Sequence, residues 1–177
     1  KHTLWKGRLK QQQSTDRIIC GYPRQSGNVW NRAMQIVRMT EREVPAVAEL
    51  EQKLFSMPWS SQGFLDTLAM DNVLFLVALE EDTVCGYCGI YLAADEGEIT
   101  NVAVAPGCRR RGIAKMLMEQ LIDETRRRGI SQIALEVRVS NEGAIKLYTQ
   151  LGFTSFGVRK NFYERPTEDA YIMLLRH

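Results

Sequence analysis

The sequence predicts one mixed α/β domain in which helices flank a sheet. Residues 73–79 (VLFLVAL) form an unbroken apolar run, which is typical of a strand covered on both faces. Apolar residues also recur at helical spacing in several segments that alternate with short strand-like runs. With 177 residues and 45% hydrophobic content, the chain can bury one sizeable core. The predicted order is βααβββαβαββ, with a strand–helix–strand unit in the middle.

A strand and two helices are predicted before the apolar run. Residues 35–40 alternate like a half-buried strand. Thr40 is predicted to begin a helix, because the acidic residues that follow it suit a first turn. The apolar face of this helix consists of Val44, Val47, Leu50 and Leu54. Residues 55–60 (FSMPWS) interrupt it, and Ser60 can cap a second helix.

The apolar run is predicted to open a group of three antiparallel strands. A turn at residues 80–83 leads to a return strand at 84–92. A second turn near residues 95–97 then leads to a strand that begins at Glu98.

The second half of the chain alternates between helices and strands. A helix with one apolar face is predicted to begin near residue 113. It ends in three arginines and Gly129, since cations and glycine are favoured at a helix C-terminus. A strand is predicted at residues 133–139, and Asn141 can cap the helix that follows it. Residues 153–158 and 170–175 are predicted as the last two strands.

The stretch from Glu98 to Ala114 predicts an anion site. Its strand-forming residues end at a Pro-Gly break, and three arginines, Gly112 and an amphipathic helix follow. The N-terminus of a helix exposes unpaired backbone N–H groups and the positive end of the helix dipole. Glycine lets the backbone approach a bound phosphate closely. Taken alone, the arginines would instead favour a solvated surface or a nucleic-acid patch.

The charge of the chain is concentrated at its start. Residues 1–34 carry seven Lys or Arg and one acid, which leaves 16 basic and 20 acidic residues from the totals of 23 and 21. They show neither helical nor strand periodicity, so we expect a basic, disordered extension or a segment foreign to the native protein, with the domain at residues 35–177. A basic nucleic-acid-binding arm is the functional alternative.

The cysteines and the hydropathy pattern favour a cytoplasmic protein. Four cysteines are few for this length, as expected in a reducing compartment. No apolar run reaches the roughly 18–20 residues of a membrane span, and no secretory signal is evident. Cys85-x-x-Cys88 is not expected to bind a metal, because no second pair accompanies it and both histidines lie near the chain ends.

The order of these motifs resembles the GNAT superfamily of acetyl-CoA-dependent N-acetyltransferases. Within that superfamily, residues 35–176 are most similar to RimI-type ribosomal-protein-alanine N-acetyltransferases. The resemblance is carried by five stretches in order, namely residues 55–60, 101–106 (NVAVAP), 135–141 (LEVRVSN), 144–153 (AIKLYTQLGF) and 159–163 with 169–170. It implies an α/β (α+β) fold whose mixed, mostly antiparallel sheet of about six to seven strands is flanked by helices.

The resemblance also implies catalytic residues. Glu136 lies within an apolar strand, where a carboxylate is costly, and matches the family's general base. The alternative for Glu136 is a solvated strand residue or an ion pair with Arg138. Tyr148 matches the tyrosine that gives a proton to the departing thiolate, and its alternative is a core aromatic. Glu98 is the rival base, with a solvated residue beside a turn as its alternative.

The cofactor implied by the resemblance is acetyl-CoA, with no metal. The backbone of Val102, Ala103 and Val104 would pair with its pantetheine arm as an added strand does, which requires a splayed strand. The pyrophosphate would be held by the loop residues Arg109, Arg110, Arg111, Gly112, Ile113 and Ala114. Asn141 would bind the cofactor as well, although a helix cap is its simpler role.

Trp59, Glu98 and Tyr163 are expected on the acceptor side, with packing between loop and sheet as the alternative for the two aromatic residues. The resemblance implies that the acceptor is the N-terminal alanine of small-subunit ribosomal protein eighteen. Another protein terminus, a lysine or a small amine is the enzymatic alternative, because acceptor slots vary on one fold. A non-catalytic acyl-CoA-binding module and an RNA-binding protein are the alternatives from other classes. We expect a monomer without membrane attachment or direct nucleic-acid binding.

Overall fold

A computed structural model describes residues 34–177. The expectation of an extension at residues 1–34 lies outside this range, except for Met34, which opens the first strand. The strands are β1 (Met34–Arg38), β2 (Val73–Glu80), β3 (Thr83–Ala93), β4 (Glu96–Val104), β5 (Gln132–Arg138), β6 (Thr154–Glu164) and β7 (Thr167–Arg176). The helices are α1 (Val44–Leu54), α2 (Ser61–Leu68), α3 (Ile113–Arg127) and α4 (Glu142–Gln150), with a 3-10 turn at Pro106–Cys108.

The seven strands form one sheet in the order β1-β2-β3-β4-β5-β7-β6. Only the central pair, β4 and β5, is parallel, and the other pairs are antiparallel. The predicted mixed sheet flanked by helices, and the predicted order of elements, are therefore confirmed. None of the helices between residues 34 and 177 is both long and apolar enough to cross a bilayer.

The two faces of the sheet build separate cores. On one face α1 and α2 pack over Phe75 and Tyr87, and on the other α3 packs over Leu74 and Ile133. β2 alternates between the two cores and is buried on both faces, as its unbroken apolar run predicts.

The start of α1 differs from the prediction. The helix begins at Val44 and not at Thr40, because Pro45 is tolerated only in the first turn. The Glu43 carboxylate instead accepts hydrogen bonds from the backbone N–H and the hydroxyl of Thr40, at 2.8 Å each. The predicted cap at Ser60 is confirmed, since its hydroxyl accepts from the Gly63 N–H at 3.0 Å.

The C-terminal hairpin is longer than predicted. β6 and β7 pair as far as Glu164 and Thr167, so the hairpin extends beyond the predicted strands at residues 153–158 and 170–175. β6 is an edge strand with mostly exposed side chains, and it lacks the buried alternation that marks a strand in sequence. A register shift between Arg159 and Tyr163 interrupts its pairing.

The central parallel pair separates part of the way along. β4 and β5 are paired from Glu96 and Gln132 as far as Ile99 and Leu135. Beyond this point β4 remains paired with β3, and β5 remains paired with β7. The register of β3 against β4 shifts where Thr100 has no opposite residue, and such a bulge bends its strand. The sheet is therefore split at its centre, and an edge of β4 is left open inside the molecule.

Gly89 is required by close packing beside this bulge. A Cβ atom at Gly89 would lie 2.6 Å from Cδ1 of Phe75, its cross-strand neighbour. Phe75 is fully buried, and its ring contacts the rings of Phe64 and Trp59. Displacing the ring would therefore strain the surrounding core.

We therefore predict that Gly89→Ala lowers the free energy of unfolding by about 1–3 kcal/mol, the usual cost of overpacking. The urea midpoint should fall in equilibrium denaturation of the full chain. Gly107→Ala is the matched control, because a Cβ there meets nothing within 4 Å. Equal midpoints for the two variants would contradict this account of Gly89.

Candidate active site

The split between β4 and β5 brings two carboxylates together. Ile133, Leu135 and Val137 are buried in the α3 core, so Glu136, between them, lies on the opposite face of β5. Glu98 is opposite Tyr91 of β3, which packs on the α1 and α2 side, so it lies on this same face. The two predicted base candidates therefore flank the point where the strands part.

The electrostatics of the two carboxylates differ. The pKa of Glu136 is raised, first by burial and second by the charge of Glu98, while Arg159 opposes the shift. The Glu136 side chain is 14% exposed, and its Oε1 lies 2.9 Å from a guanidinium nitrogen of Arg159. Glu98 is exposed. Of the two, Glu136 has the environment of a tuned base.

Glu136 does form an ion pair, but with a different arginine from the predicted Arg138. Arg138 pairs with Glu168 at 3.0 Å, and its guanidinium lies 4.0 Å from the ring centroid of Tyr163. Arg159 pairs with Glu136 instead, from the part of β6 that lies beyond the strand predicted at residues 153–158.

Two tyrosines follow Glu136 in a chain of contacts: Tyr163 is hydrogen-bonded to it, and Tyr148 neighbours Tyr163. Tyr148 of α4 is buried, with its ring centroid 5.9 Å from that of Phe153. Burial, and then the neighbouring Tyr163, raise the pKa of Tyr148. The Tyr163 hydroxyl donates to the backbone carbonyl of Glu136 at 3.4 Å, and its own pKa is raised mainly by burial. Glu136, Tyr148 and Tyr163 are thus brought together from β5, α4 and β6.

The segment between β4 and α3 has the backbone geometry of an anion-binding loop. Arg110 and Gly112 have φ values of 63° and 78°, a left-handed conformation that turns the chain tightly before α3. The first hydrogen bond of α3 runs from the Met116 N–H to the Gly112 carbonyl, so the N–H groups of Ile113, Ala114 and Lys115 precede the helical ladder.

A cavity of about 320 Å³ lies against this loop. Its lining includes Val104, Arg109, Arg110, Gly112, Ile113 and Ala114. The lining combines the arginines and Lys115 with apolar side chains such as Val104 and Leu147, as expected of a site for a phosphate with an apolar arm. The structure therefore places most of the predicted cofactor residues around one cavity.

Arg111 and Asn141 have other partners. The Arg111 guanidinium pairs with both carboxylate oxygens of Glu80, at 2.6 and 3.1 Å, which directs it to β2. Asn141 caps α4, because its carboxamide oxygen accepts from the Ala144 N–H at 3.1 Å. Val102 and Ala103 lie on β4 beyond the end of its pairing with β5.

Trp59 packs into the core beneath α2. Its ring centroid lies 5.3 Å from that of Phe64 and 6.1 Å from that of Phe75. Phe55 and Met57 of the same loop are 38% and 65% exposed, so they present apolar surface to solvent there. Sequence reasoning selected Trp59 in this loop and did not consider its two exposed neighbours.

Sequence reasoning also missed Glu51, a buried carboxylate of α1. A signal was present, because Glu51 follows Val47 by four residues and precedes Leu54 by three, on the apolar face of the helix. Arg159 was missed as well, and its position in an exposed strand offered no signal.

The three cysteines of the described segment are free thiols. Cys85 and Cys88 are buried, and burial raises the pKa of the Cys85 thiol to about 12. The Cys85 sulfur lies 2.8 Å from that of Cys108, which borders the anion cavity. Within residues 34–177, no group of three or more His, Cys, Asp or Glu side chains is arranged to hold a metal ion.

Comparison with known proteins agrees with this geometry. Residues 44–153 match the family described as the acetyltransferase (GNAT) family. The chain is 38% identical over 141 residues to a [ribosomal protein bS18]-alanine N-acetyltransferase of Salmonella typhimurium, covering 77% of this chain and 93% of that protein.

Solved structures show the same fold. The crystal structure of the ribosomal-protein-S18-alanine N-acetyltransferase from Escherichia coli matches with a TM-score of 0.75 and 33% identity, over 81% of this chain and 94% of that one. Arabidopsis thaliana NAA60 in complex with acetyl-CoA shares the fold, with a TM-score of 0.73 and 16% identity over 81% and 98%. The family match and the relatives above 30% identity lead to one conclusion: this chain belongs to the GNAT acetyltransferase family.

Proposed function

We propose that this protein is an acetyl-CoA-dependent N-acetyltransferase that acetylates the N-terminal alanine of ribosomal protein bS18. The observation that carries the proposal is the split between β4 and β5, with Glu136 just beyond the last pair and Tyr163 between Glu136 and Tyr148. The substrate assignment is supported by the similarity to bS18-alanine N-acetyltransferases across nearly their whole length.

The anion loop and the open edge of β4 suit acetyl-CoA. The unpaired N–H groups at the start of α3 would bind the pyrophosphate, with Arg109 and Arg110 adding positive charge. The backbone of β4 at residues 102–104 would pair with the pantetheine amides, because it no longer pairs with β5 there. The side chains of Arg111 and Asn141 are engaged with Glu80 and with the Ala144 N–H, so we assign cofactor binding first to the other residues of the predicted set.

Glu136 is proposed as the base. An α-amino group has a pKa of about 7.7–8.0, so a carboxylate with a raised pKa can accept its proton directly or through water near neutral pH. Arg159 favours the ionised form of this carboxylate, whereas the charge of Glu98 raises its pKa, and Glu98 would border the acceptor slot. Once deprotonated, the amine nitrogen attacks the thioester carbonyl, and the bond from carbon to sulfur breaks.

Tyr148 is proposed to assist the departing sulfur. Its pKa is raised above the ordinary phenol value, whereas a thiol has a pKa of about 8.5. Complete proton transfer from Tyr148 to the thiolate would therefore be uphill. We infer that its hydroxyl donates a hydrogen bond that stabilises the thiolate, and that the thiol finally gains the proton lost by the amine.

The acceptor would enter on the α1 and α2 side of the sheet. Trp59, Glu98 and Tyr163 would line its path, with Phe55 and Met57 at the exposed rim. A different acceptor amine is the main alternative, because the slot and not the cofactor site sets the choice.

We also propose that the protein acts as a cytoplasmic monomer and does not bind nucleic acid directly. The three arginines at the end of α3 are engaged with acids of their own helix. Arg126 lies 3.6 Å from Asp123, while Arg127 and Arg128 lie 3.1 and 2.9 Å from Glu124. A ribosomal acceptor places the reaction in the cytoplasm.

Incubation with acetyl-CoA and peptides tests the function. A peptide with the N-terminal sequence of bS18 beginning with alanine should gain one acetyl group at its terminus, as located by tandem mass spectrometry. The same peptide with a blocked terminus and a free lysine is the control. Acetylation only of lysine or of a polyamine would overturn the proposed substrate, and absence of any turnover would overturn the enzymatic assignment.

Tyr148→Phe should lower kcat on the order of 10²-fold, because it removes the hydroxyl that assists the leaving sulfur. The Kd for acetyl-CoA, measured by calorimetry, should change little. Tyr171→Phe is the matched control, since Tyr171 packs against the same core from β7, which is separated from the opening by β5. An unchanged kcat in Tyr148→Phe would remove this residue from the mechanism.

The pH dependence tests Glu136 as the base. Activity requires its carboxylate, so it should be lost as the pH falls through the raised pKa of Glu136. Glu98→Gln removes a charge that raises this pKa, so the acid limb of kcat should move to lower pH. Arg159→Gln removes the charge that lowers it, so the limb should move to higher pH. Shifts in the same direction, or no shift in either variant, would assign the limb to another group.

A further inference from the structure

Glu51 is a buried carboxylate without an assigned role. It is 1% exposed, and among residues 34–177 it is the only acidic residue in the buried class. A carboxylate in such a place is costly unless donors satisfy its oxygens. The groups that donate hydrogen bonds to Glu51 therefore indicate which part of the structure it stabilises.

The donors to Glu51 come from three separate elements. Its Oε1 accepts from the Tyr87 hydroxyl of β3 and from the Asn101 carboxamide of β4, the latter at 3.2 Å. Its Oε2 accepts from the backbone N–H of Trp59 at 3.1 Å. All three donors are neutral, so they hold the charge through directed hydrogen bonds, which are stronger than those between neutral groups.

Two of these donors belong to the walls of the proposed acceptor slot. Trp59 lies in the irregular segment between α1 and α2, whose exposed large apolar side chains are Phe55 and Met57. Asn101 follows the bulge at Thr100, in the part of β4 that has lost β5 as a partner. One carboxylate thus ties the loop on one side of the slot to the open strand on the other.

The orientation of Asn101 depends on this contact. Its carboxamide oxygen is buried and has no hydrogen-bond partner within the described part of the chain. The carboxamide nitrogen must face Glu51, because the reversed orientation would direct an oxygen at a carboxylate. The hydrogen bond to Glu51 is therefore the anchor that sets this side chain.

We propose that Glu51 is a positioning residue of the acceptor slot. It holds the Trp59 loop and the Asn101 side chain of β4 in the spacing that an acceptor requires, and it does not touch the reacting atoms. The backbone of β4 at residues 102–104 stays paired with β3, and the anion cavity at the start of α3 does not include Glu51 or its partners in its lining. Cofactor binding should therefore not depend on Glu51. The proposal rests on the proposed function only for the location of the slot.

Glu51→Gln is the main test, because it keeps the shape of the side chain while removing its charge and one accepting oxygen. The acceptor KM should rise about tenfold, as expected for the loss of a charged hydrogen bond. The KM for acetyl-CoA should stay within about twofold, since the loop before α3 is unaffected. Glu49→Gln is the control on the same helix, because Glu49 is exposed and pairs only with Lys53.

A second variant covers the case in which Glu51→Gln does not fold. Asn101→Ala leaves Glu51 with Tyr87 and Trp59, and it should raise the acceptor KM in the same selective way. Hydrogen exchange of the Trp59 amide should also be faster in Glu51→Gln than in the wild type. Equal rises in both KM values, or an acceptor KM unchanged in both variants, would overturn the positioning role.

The outcome is separable from that of the proposed function. The wild-type enzyme with the alanine peptide decides the substrate, whereas the split between the two KM values decides the role of Glu51. If another amine is the true acceptor, the same comparison is made with that amine.

Discussion

The separation of β4 from β5 is the constraint on which the rest of the site depends. Two parallel strands at the centre of a sheet would normally satisfy each other's backbone groups along their whole length. Here they do so for four residue pairs and then diverge, while each keeps its antiparallel neighbour. The bulge at Thr100 bends β4, and the antiparallel pairs on either side give the sheet the rigidity to hold an opening. Backbone groups left unpaired in this way are a binding surface for an extended ligand.

The charges around the opening are divided between its two ends. At the α3 end, arginines and unpaired N–H groups favour an anion. At the proposed acceptor end, Glu98 and Glu136 would favour an amine, and Arg159 opposes the effect of Glu98 on the pKa of Glu136. The proposed binding of a polyanion and the proposed deprotonation of a cation would thus be separated by the length of the open strand.

Much of this arrangement could be predicted from local sequence. The apolar run of β2, the cap at Ser60 and the loop before α3 each follow from short-range rules, and the structure contains all three. The split in the sheet could not be derived in this way, because pairing between β4 and β5 depends on contacts more than thirty residues apart. Arg159 was missed for a similar reason: its strand is exposed, and its partner Glu136 lies on another strand. Glu51 was predictable in principle, since an acid on an apolar helix face predicts a buried partner set.

Cys108 has a practical consequence for enzymology on this protein. Its thiol is partly exposed at the border of the anion cavity, beside the buried thiol of Cys85. Chromogenic disulfides that detect liberated coenzyme A would also react with an accessible protein thiol, and the adduct would stand where the pyrophosphate is expected. A continuous thiol assay would then register a stoichiometric background and progressively inhibit the catalyst that it monitors. Replacing Cys108 with serine, or measuring the acetylated product itself, avoids both artefacts.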